Sequence, residues 1–352
     1  MKVILFTIAL NAALLAGTPT RADTIYVSNG NGWNNIQKFT TNGVSTYFVG
    51  NPSQTNAYFE FPWGIAFDSA GNLFVASHDD NKIEKITPDG VASVFATNGL
   101  NAPADITFDS TGNLFVSNYG DRTIEKFTPG GMGSLFAVND PTYPASGLAC
   151  DAQGNVFATT AWINTIKQFT SNGIPSVFAS GGLLNGPIGL AFDASGNLFV
   201  ANYFGSVAKF TTNGVGSTFA TDGLYTPGGI AFDSLGNLYV ANEGNADFSS
   251  GSIEIFTSAG APSVYADVDN PFDFAITPGL HVFPPKLEIK SSGTNAVVSW
   301  PVSLGMFSLE ATTILNNPNW NPVSGTNFLT NGRFLTTNGM TGSSRFFRLR
   351  KH

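Results

Sequence analysis

One segment of this sequence occurs five times at a nearly constant spacing, and the last copy reads IAFDSLGNLYVAN. The copies begin at Ile65, Ile106, Leu148, Leu190 and Ile230. The aspartates that the copies share are separated by 41, 42, 42 and 40 residues. One such period has room for four short strands and their turns, which is the size of one blade of a β-propeller. The sequence therefore predicts an all-β ring of repeated four-stranded sheets.

Each copy carries the same turn between two apolar runs. In the last copy the first run ends at Asp233, whose carboxylate can accept bonds from the backbone of the turn, and Gly236 supplies the positive φ angle of a tight reversal. Aspartate followed by Gly-Asn also occurs in calcium loops, but one carboxylate per turn is too few for that ion. We therefore interpret these turns as structural.

The first and last repeats are incomplete, and each supplies what the other lacks. Thr24 to Ser28 matches the second strand of a unit, with no first strand before it, whereas Phe274 to Thr277 matches a first strand with no repeat after it. We predict that the two segments pair, so that one blade is built from both ends of the chain. The ring would then have six blades and no open sheet edges at its two ends.

The repeat has the form Pro-x-Gly-Ile-Ala-x-Asp, then Gly-Asn-Leu-x-Val-Ala-Asn, then Ile-x-x-Phe, and it resembles the NHL repeat. More broadly, residues 23–280 resemble the TolB-like six-bladed propellers, which include the relatives of gluconolactonase and luciferin-regenerating enzyme. The resemblance implies the fold. It does not imply one activity, because such repeats serve both binding proteins and enzymes.

Three segments lie outside the predicted propeller. Residues 1–22 read as a signal peptide, with Lys2 before the apolar run Val3 to Leu15, so we expect export to the periplasm, the medium or the cell surface. Residues 281–286 read as a proline-stiffened linker. Residues 287–352 contain five or six short apolar runs and resemble the small C-terminal β-sandwich of many exported bacterial proteins. No run after the leader is long enough to span a bilayer.

Charge and cysteine content narrow the choice of partners. Residues 23–285 carry 7 basic and 22 acidic side chains, a net charge of −15, whereas residues 286–352 carry 7 and 2, a net charge of +5. Such an acidic propeller is a poor nucleic-acid binder. Cys150 is the single cysteine, which excludes a disulfide framework, and it occupies a strand position that holds phenylalanine in the other four copies. We interpret Cys150 as a small buried apolar residue. We also expect the protein to be a monomer.

One face of the predicted propeller varies between repeats. The turns after the first and third strands are near copies, whereas the loops after the second strand, which include Asn118, Asn202 and Asn242, share little beyond polarity. Diversified loops on a repeated scaffold can present side chains to a ligand, although neutral drift would look the same. The candidate ligand-binding residues on this face are Trp33, Trp63, His78, Tyr119, Arg122, Trp162, Tyr203 and Glu243. They predict an exported, non-enzymatic binding protein for a carbohydrate or a protein.

The channel mouth supports an alternative function. The resemblance to gluconolactonase implies a divalent metal held by a glutamate near the first Pro-Trp element and by Asn and Asp directly after later prolines. Glu60 matches the first feature, but Asp105 and Asp273 stand one residue later than the pattern requires. These three residues are the candidate ligands for Ca²⁺ or another divalent cation, although they could equally cap strand ends. The alternative is therefore a metal-dependent, lactonase-type hydrolase.

Other catalytic chemistry has little support in the sequence. The chain has three histidines, and His281 and His352 lie outside the predicted propeller, which disfavours a histidine-rich zinc site. No Gly-x-Ser-x-Gly nucleophile elbow occurs.

Overall fold

The computed structural model describes residues 24–29, 34–40, 43–50, 59–244, 251–258, 260–268 and 271–277, and strands between residues 288 and 351. The predicted signal peptide, the predicted linker and Trp33 lie outside these residues. The chain divides into two units, Met1–Gly279 and Leu280–His352. The first unit carries the repeats.

The first unit consists of six four-stranded antiparallel sheets. Blade 1 contains β1 (Thr24–Asn29), β2 (Asn35–Phe39) and β3 (Ser45–Val49), and blade 2 contains β4 (Pro62–Phe67), β5 (Leu73–Ser77), β6 (Lys82–Ile86) and β7 (Ala92–Ala96). Blade 3 contains β8 (Pro103–Phe108), β9 (Leu114–Asn118), β10 (Thr123–Phe127) and β11 (Gly133–Val138), and blade 4 contains β12 (Leu148–Cys150), β13 (Val156–Thr160), β14 (Thr165–Phe169) and β15 (Pro175–Ser180). Blade 5 contains β16 (Pro187–Phe192), β17 (Leu198–Asn202), β18 (Ser206–Phe210) and β19 (Gly216–Ala220), and blade 6 contains β20 (Pro227–Phe232), β21 (Leu238–Asn242), β22 (Gly251–Phe256) and β23 (Pro262–Val268). The strand β24 (Pro271–Thr277) follows blade 6 in the chain.

The ring closes where the two ends of the repeat region meet. Strand β24 pairs antiparallel with β1, with Ile276 opposite Ile25 and Phe274 opposite Val27, and so becomes the innermost strand of blade 1. The six innermost strands, β4, β8, β12, β16, β20 and β24, each lie beside the next one around the axis. The predicted six-bladed propeller, closed by strands from both ends, is confirmed.

The shared aspartates build the turns after the innermost strands. In blade 2 the Oδ1 atom of Asp68 accepts bonds from the backbone nitrogens of Ala70 and Asn72 at 2.9 and 2.8 Å, and its Oδ2 accepts from Asn72 Nδ2 at 2.7 Å. Gly71 completes the turn at φ +82°. The same contacts recur at Asp109, Asp151, Asp193 and Asp233. The structural interpretation of these turns is confirmed.

Aromatic triplets join neighbouring blades. Phe157 in β13 meets Phe178 of its own blade and Phe192 of the next blade edge to face, with ring centroids 5.1 Å apart in both pairs. Equivalent triplets are Tyr26, Phe48 and Phe67; Phe74, Phe95 and Phe108; and Phe199, Phe219 and Phe232. Cys150 takes the third position beside the core around Phe115, and burial raises the pKa of its thiol to about 12. It therefore packs where the other four copies of the repeat have phenylalanine, but it is half-buried and not buried as predicted.

The second unit is also built from strands. They are β25 (Glu288–Ser292), β26 (Asn295–Pro301), β27 (Phe307–Thr312), β28 (Asn321–Pro322), β29 (Phe328–Thr330), β30 (Arg333–Gly339) and β31 (Phe346–Lys351). They form one four-stranded and one three-stranded antiparallel sheet. The β-sandwich stays a prediction. In the described parts of the chain the helical element is the 3₁₀ turn Ala161–Ile163, and no helix there is long and apolar enough to cross a membrane.

Candidate functional site

Four aromatic side chains from blades 2 and 3 meet on the variable face. Phe61 directly precedes the innermost strand β4, and Trp63 lies in it. His78 follows β5, and Tyr119 follows β9. Ring centroids lie 5.0 Å apart for Trp63 and His78, 6.0 Å for Trp63 and Tyr119, and 6.3 Å for His78 and Tyr119. Phe61 lies 6.0 Å from Trp63 and 5.9 Å from His78. We call these four residues the aromatic cluster.

Backbone bonds between the loops hold the aromatic cluster in place. The backbone nitrogen of His78 donates to the carbonyl of Phe61 at 3.1 Å, and that of Tyr119 donates to the carbonyl of Ala102 at 2.9 Å. The Ser77 hydroxyl accepts from the backbone nitrogen of Glu60 at 2.9 Å. Phe61 has a φ angle of +55°, which is strained for a residue with a side chain. The loops therefore fix the ring positions at a cost in backbone strain.

His78 gives the aromatic cluster one unpaired polar atom. Its Nδ1 lies 2.7 Å from Oδ1 of Asp79, so the tautomer that donates from Nδ1 to this carboxylate leaves Nε2 as an acceptor. Nε2 is buried and has no hydrogen-bond partner among the described residues. An unsatisfied buried polar atom costs about 1–3 kcal/mol, which a ligand that donates a hydrogen bond would recover.

The other candidate binding residues are distributed around the ring. Trp162 is 70% exposed in the 3₁₀ turn of blade 4, and Tyr203 of blade 5 packs against Phe204 at 5.5 Å. Arg122 follows β9 with a φ angle of +68°. Glu243 follows β21 of blade 6, and burial raises its pKa to about 7. The aromatic cluster thus contains three of the predicted residues, Trp63, His78 and Tyr119, and adds Phe61.

The variable loops also contain a repeated structural residue. Asn118 at the end of β9 is buried, its Oδ1 accepts from the backbone nitrogen of Asn101 at 3.1 Å, and its Nδ2 donates to the carbonyl of Gly99 at 2.8 Å. Asn202 and Asn242 make the same two contacts in blades 5 and 6. Grouping these asparagines with the variable residues is therefore wrong. Their fixed place at the end of the second strand is the signal that distinguishes them.

The axis of the ring contains a cavity of about 390 Å³. Asp105 and Asp273 both line it. Oδ2 of Asp105 accepts from the backbone nitrogen of Leu148 in blade 4 at 2.6 Å, and Oδ2 of Asp273 accepts from that of Ile65 in blade 2 at 2.9 Å. Each carboxylate therefore joins its blade to the next, which is the strand-capping role that the sequence left open.

The donor set of the channel does not fit a divalent cation. Glu60 is exposed and does not line the cavity, so the structure brings together only two of the three candidate ligands. The described residues contain no group of three or more His, Cys, Asp or Glu side chains that could hold a metal ion. Ca²⁺ takes about six to eight oxygens. Burial also raises the pKa of Asp105 to about 7, which disfavours the charged form that a metal needs.

Comparison with known proteins supports the fold. No family model and no curated protein matches the chain. Among solved structures, virginiamycin B lyase from Staphylococcus aureus matches with a TM-score of 0.54 and 18% identity, over 80% of this chain and 92% of the lyase. A gluconolactonase from Xanthomonas campestris matches with a TM-score of 0.53 and 14% identity, over 67% and 82%. A protein of unknown function from Bacteroides caccae matches with a TM-score of 0.55 and 15% identity, over 72% and 98%. The chain is a six-bladed β-propeller similar in fold to these proteins.

Proposed function

We propose that this propeller is a non-enzymatic binding protein that holds a carbohydrate at the aromatic cluster. The observation that carries the proposal is the convergence of Trp63, His78 and Tyr119 around a buried, unpaired nitrogen. Ligand sites typically combine apolar walls with a small number of placed polar groups. The aromatic cluster has this composition on the face where the repeats differ.

A sugar suits both parts of the aromatic cluster. The C–H groups on one side of a pyranose ring can pack on Trp63 and on Tyr119, which is 37% exposed. A sugar hydroxyl can donate to Nε2 of His78, and a site built for such a bond rejects ligands without the donor. The propeller has a net charge of −15 over residues 23–285, so we expect a neutral or cationic sugar rather than a uronic acid or sulfated glycan.

Calorimetric titration of the full chain with a panel of neutral oligosaccharides tests the proposal. We expect Trp63→Ala and Tyr119→Ala to weaken binding about fivefold or more, since stacking on an aromatic ring contributes on the order of 1 kcal/mol or more. His78→Phe keeps a ring but removes the acceptor, and we expect a loss of similar size. Phe204→Ala is the matched control, because Phe204 is an exposed ring on blade 5.

Two results would contradict the proposal. One is that the wild-type protein binds no glycan of the panel. The other is that Trp63→Ala and Phe204→Ala bind equally well. If surface proteins rather than glycans are retained, and Trp63→Ala abolishes their retention, the ligand is a protein and the carbohydrate assignment is wrong.

A lactonase-type hydrolase is the second candidate. The observation in its favour is that Asp105 and Asp273 share one cavity, with the pKa of Asp105 near neutrality. The poor fit of the donor set to a divalent cation counts against it. Titration with Ca²⁺ and Zn²⁺, together with a lactone hydrolysis assay of wild type and Asp273→Asn, tests it. Metal binding and hydrolysis that both disappear in Asp273→Asn would favour the hydrolase over the binding protein.

We also propose that the protein is exported and monomeric. The basis is the leader-like sequence of residues 1–22 and the closed ring, in which β24 completes blade 1 without a strand from a second copy. The intact mass of the protein recovered from its own cells is expected to lack the leader. Light scattering is expected to give the mass of one chain, and a full-length or dimeric product would contradict the corresponding proposal.

A further inference from the structure

Each blade of the propeller has a register shift at one place in the pairing of its third and fourth strands. The residues that follow this shift are Gln37, Glu84, Glu125, Lys167, Ala208 and Glu254. The three glutamates are 4%, 8% and 5% exposed, in chain order. A buried carboxylate needs a hydrogen-bond or ion-pair partner, so each of the three glutamates needs one.

Glu84 and Glu254 have such a partner within the chain, and so does the lysine at the same position of blade 4. Glu84 of blade 2 pairs with Lys82, with 2.8 Å between Oε1 and Nζ. Oε1 of Glu254 in blade 6 accepts from the hydroxyl of Ser252 at 3.2 Å. In blade 4 the position holds Lys167, whose Nζ donates to Oδ2 of Asp140 at 3.2 Å. The fold therefore accommodates an ammonium group and a carboxylate side by side at this depth.

Glu125 of blade 3 lacks such a partner. Thr123 stands where Lys82 and Ser252 stand in the other blades, but its hydroxyl donates to Oδ1 of Asp121 at 2.7 Å and cannot also donate to Glu125. The neighbouring Lys126 lies over the ring of Phe115, 5.3 Å from its centroid. Within the described part of the chain the Glu125 carboxylate has no hydrogen bond and no ion pair. Burial and the charge of Asp121 raise the pKa of Glu125.

Glu125 lines a groove of about 560 Å³ between blades 2 and 3. Gly99, Gly131, Gly133 and Met132 are among the other lining residues, so much of the wall is backbone. The carboxylate lies directly against Gly99, where an added Cβ would stand 3.3 Å from the carboxyl carbon and 3.4 Å from Oε2. Gly131 and Gly133 pack closely, since an added Cβ would stand 3.2 Å from the carbonyl oxygen of Phe95 and 2.7 Å from the ring of Phe127. The space for a ligand group is therefore the groove itself, which the Glu125 carboxylate lines.

We propose that this groove binds a primary ammonium group, with Glu125 as its counter-ion. Asp121 adds a second negative charge nearby, and the pairing of Lys167 with Asp140 is the internal precedent for this contact. The ammonium group can belong to an amino sugar or to a lysine side chain of a protein. The site goes beyond the carbohydrate proposal, because none of its lining residues belongs to the aromatic cluster.

Amide NMR spectra of the full chain test the proposal, with glucosamine and Nα-acetyl-lysine amide as probes. N-acetylglucosamine is the neutral control. We expect the two amines, but not the control, to shift the amide signals of Gly99, Gly131 and Gly133. Glu125→Gln keeps the shape and removes the charge, so it should weaken amine binding at least tenfold. Glu254→Gln is the matched control at the same position of blade 6 and should leave the affinity unchanged.

The outcomes distinguish the two sources of the ammonium group, an amino sugar and a protein lysine. They also distinguish this proposal from the proposal for the aromatic cluster. Tighter binding of glucosamine assigns the groove to amino sugars, and tighter binding of the lysine derivative assigns it to a protein partner. Unshifted glycine signals, or equal affinities of wild type and Glu125→Gln, would overturn the inference. Trp63→Ala leaves this binding unchanged if the groove is a separate site, so failure of the aromatic-cluster proposal does not affect the result.

Discussion

The aspartates of this propeller have different pKa values because they differ in burial and in the hydrogen-bond donors that they meet. At the turn of blade 3, burial raises the pKa of Asp109, but hydrogen bonds from Asn113 and Thr111 outweigh it and the pKa is lowered. In the channel, Asp105 receives backbone bonds from Leu148 and Ile106, which do not compensate for its burial, and its pKa rises to about 7. Asp109 thus stabilises its turn as a carboxylate anion. Asp105 joins two blades through a carboxyl group whose pKa is about 7.

We predict that the stability of the propeller falls as pH rises from about 4 to 7. The ordinary pKa of Asp105 is 3.8 and its folded-state pKa is about 7, so between these values the folded state holds a proton that the unfolded state has released. The stabilisation from this proton is complete below the ordinary pKa and disappears as pH passes the folded pKa. Glu243 contributes with the same sign, from 4.5 to about 7.

Asp105→Asn should make the pH dependence of stability shallower. We expect the decline in unfolding free energy across this window to shrink by on the order of 2 kcal/mol, because an amide cannot bind the proton that the Asp105 carboxyl group holds in the folded state. Urea denaturation at several pH values measures it. Asp193→Asn is the control, because this turn aspartate lies outside the cavity lining. An unchanged slope in Asp105→Asn would contradict the prediction.

The residue positions that the sequence predicted well are those that repeat. The turn aspartates, the glycines after them and the role of Cys150 follow from comparing copies within the chain. The partner of Asp105 could not be predicted, because it is a backbone nitrogen of another blade. Comparing position with position across all blades would have revealed that Glu125 has no lysine or serine beside it.

The aromatic triplets pack neighbouring blades against each other. Each triplet uses the second strand and the outer strand of one blade and the innermost strand of the next, so that a single ring contributes to two blades. Edge-to-face pairs add about 0.5–1.5 kcal/mol beyond the burial of their area. In blades 1, 2, 3 and 5 a lysine of the third strand also lies over the central ring.

We predict that Phe157→Ala destabilises the propeller by about 3–5 kcal/mol, because it empties a ring-sized space between blades 4 and 5. Cys150→Ala, which removes one sulfur atom from the third position of a triplet, should cost only about 1 kcal/mol. Thermal and urea unfolding monitored by fluorescence compare the two. Equal losses in both variants would show that the triplets are not the main contacts between blades.

The sequence predicts the placement of the aromatic cluster but not the contacts between its rings. The repeat period places Trp63 at the start of an innermost strand and His78 and Tyr119 on loops of adjacent blades, all on the same face. Their convergence depends on the positive φ of Phe61 and on the backbone bonds between loops. These are set by the packing of the folded blades, and a single sequence does not reveal them.

At the scale of the whole molecule, the chain combines an acidic propeller with a basic second unit. The ring depends on one noncovalent seam, where β24 completes blade 1 by pairing with β1. All other blades are continuous in sequence, from β4 to β23. Both sites described above lie on blades 2 and 3, and blade 2 is next to the composite blade.

Disulfide trapping across the seam tests this closure most directly. In a Cys150→Ser background, Ile25→Cys with Ile276→Cys places two thiols on directly opposed residues, whose Cα atoms lie within the reach of a disulfide. Val27→Cys with Ile276→Cys is the control, displaced by two residues. If β24 pairs with β1, mild oxidation of the native protein removes both free thiols in the first pair and leaves them in the second. Two free thiols in the opposed pair, or equal oxidation of both pairs, would contradict this pairing.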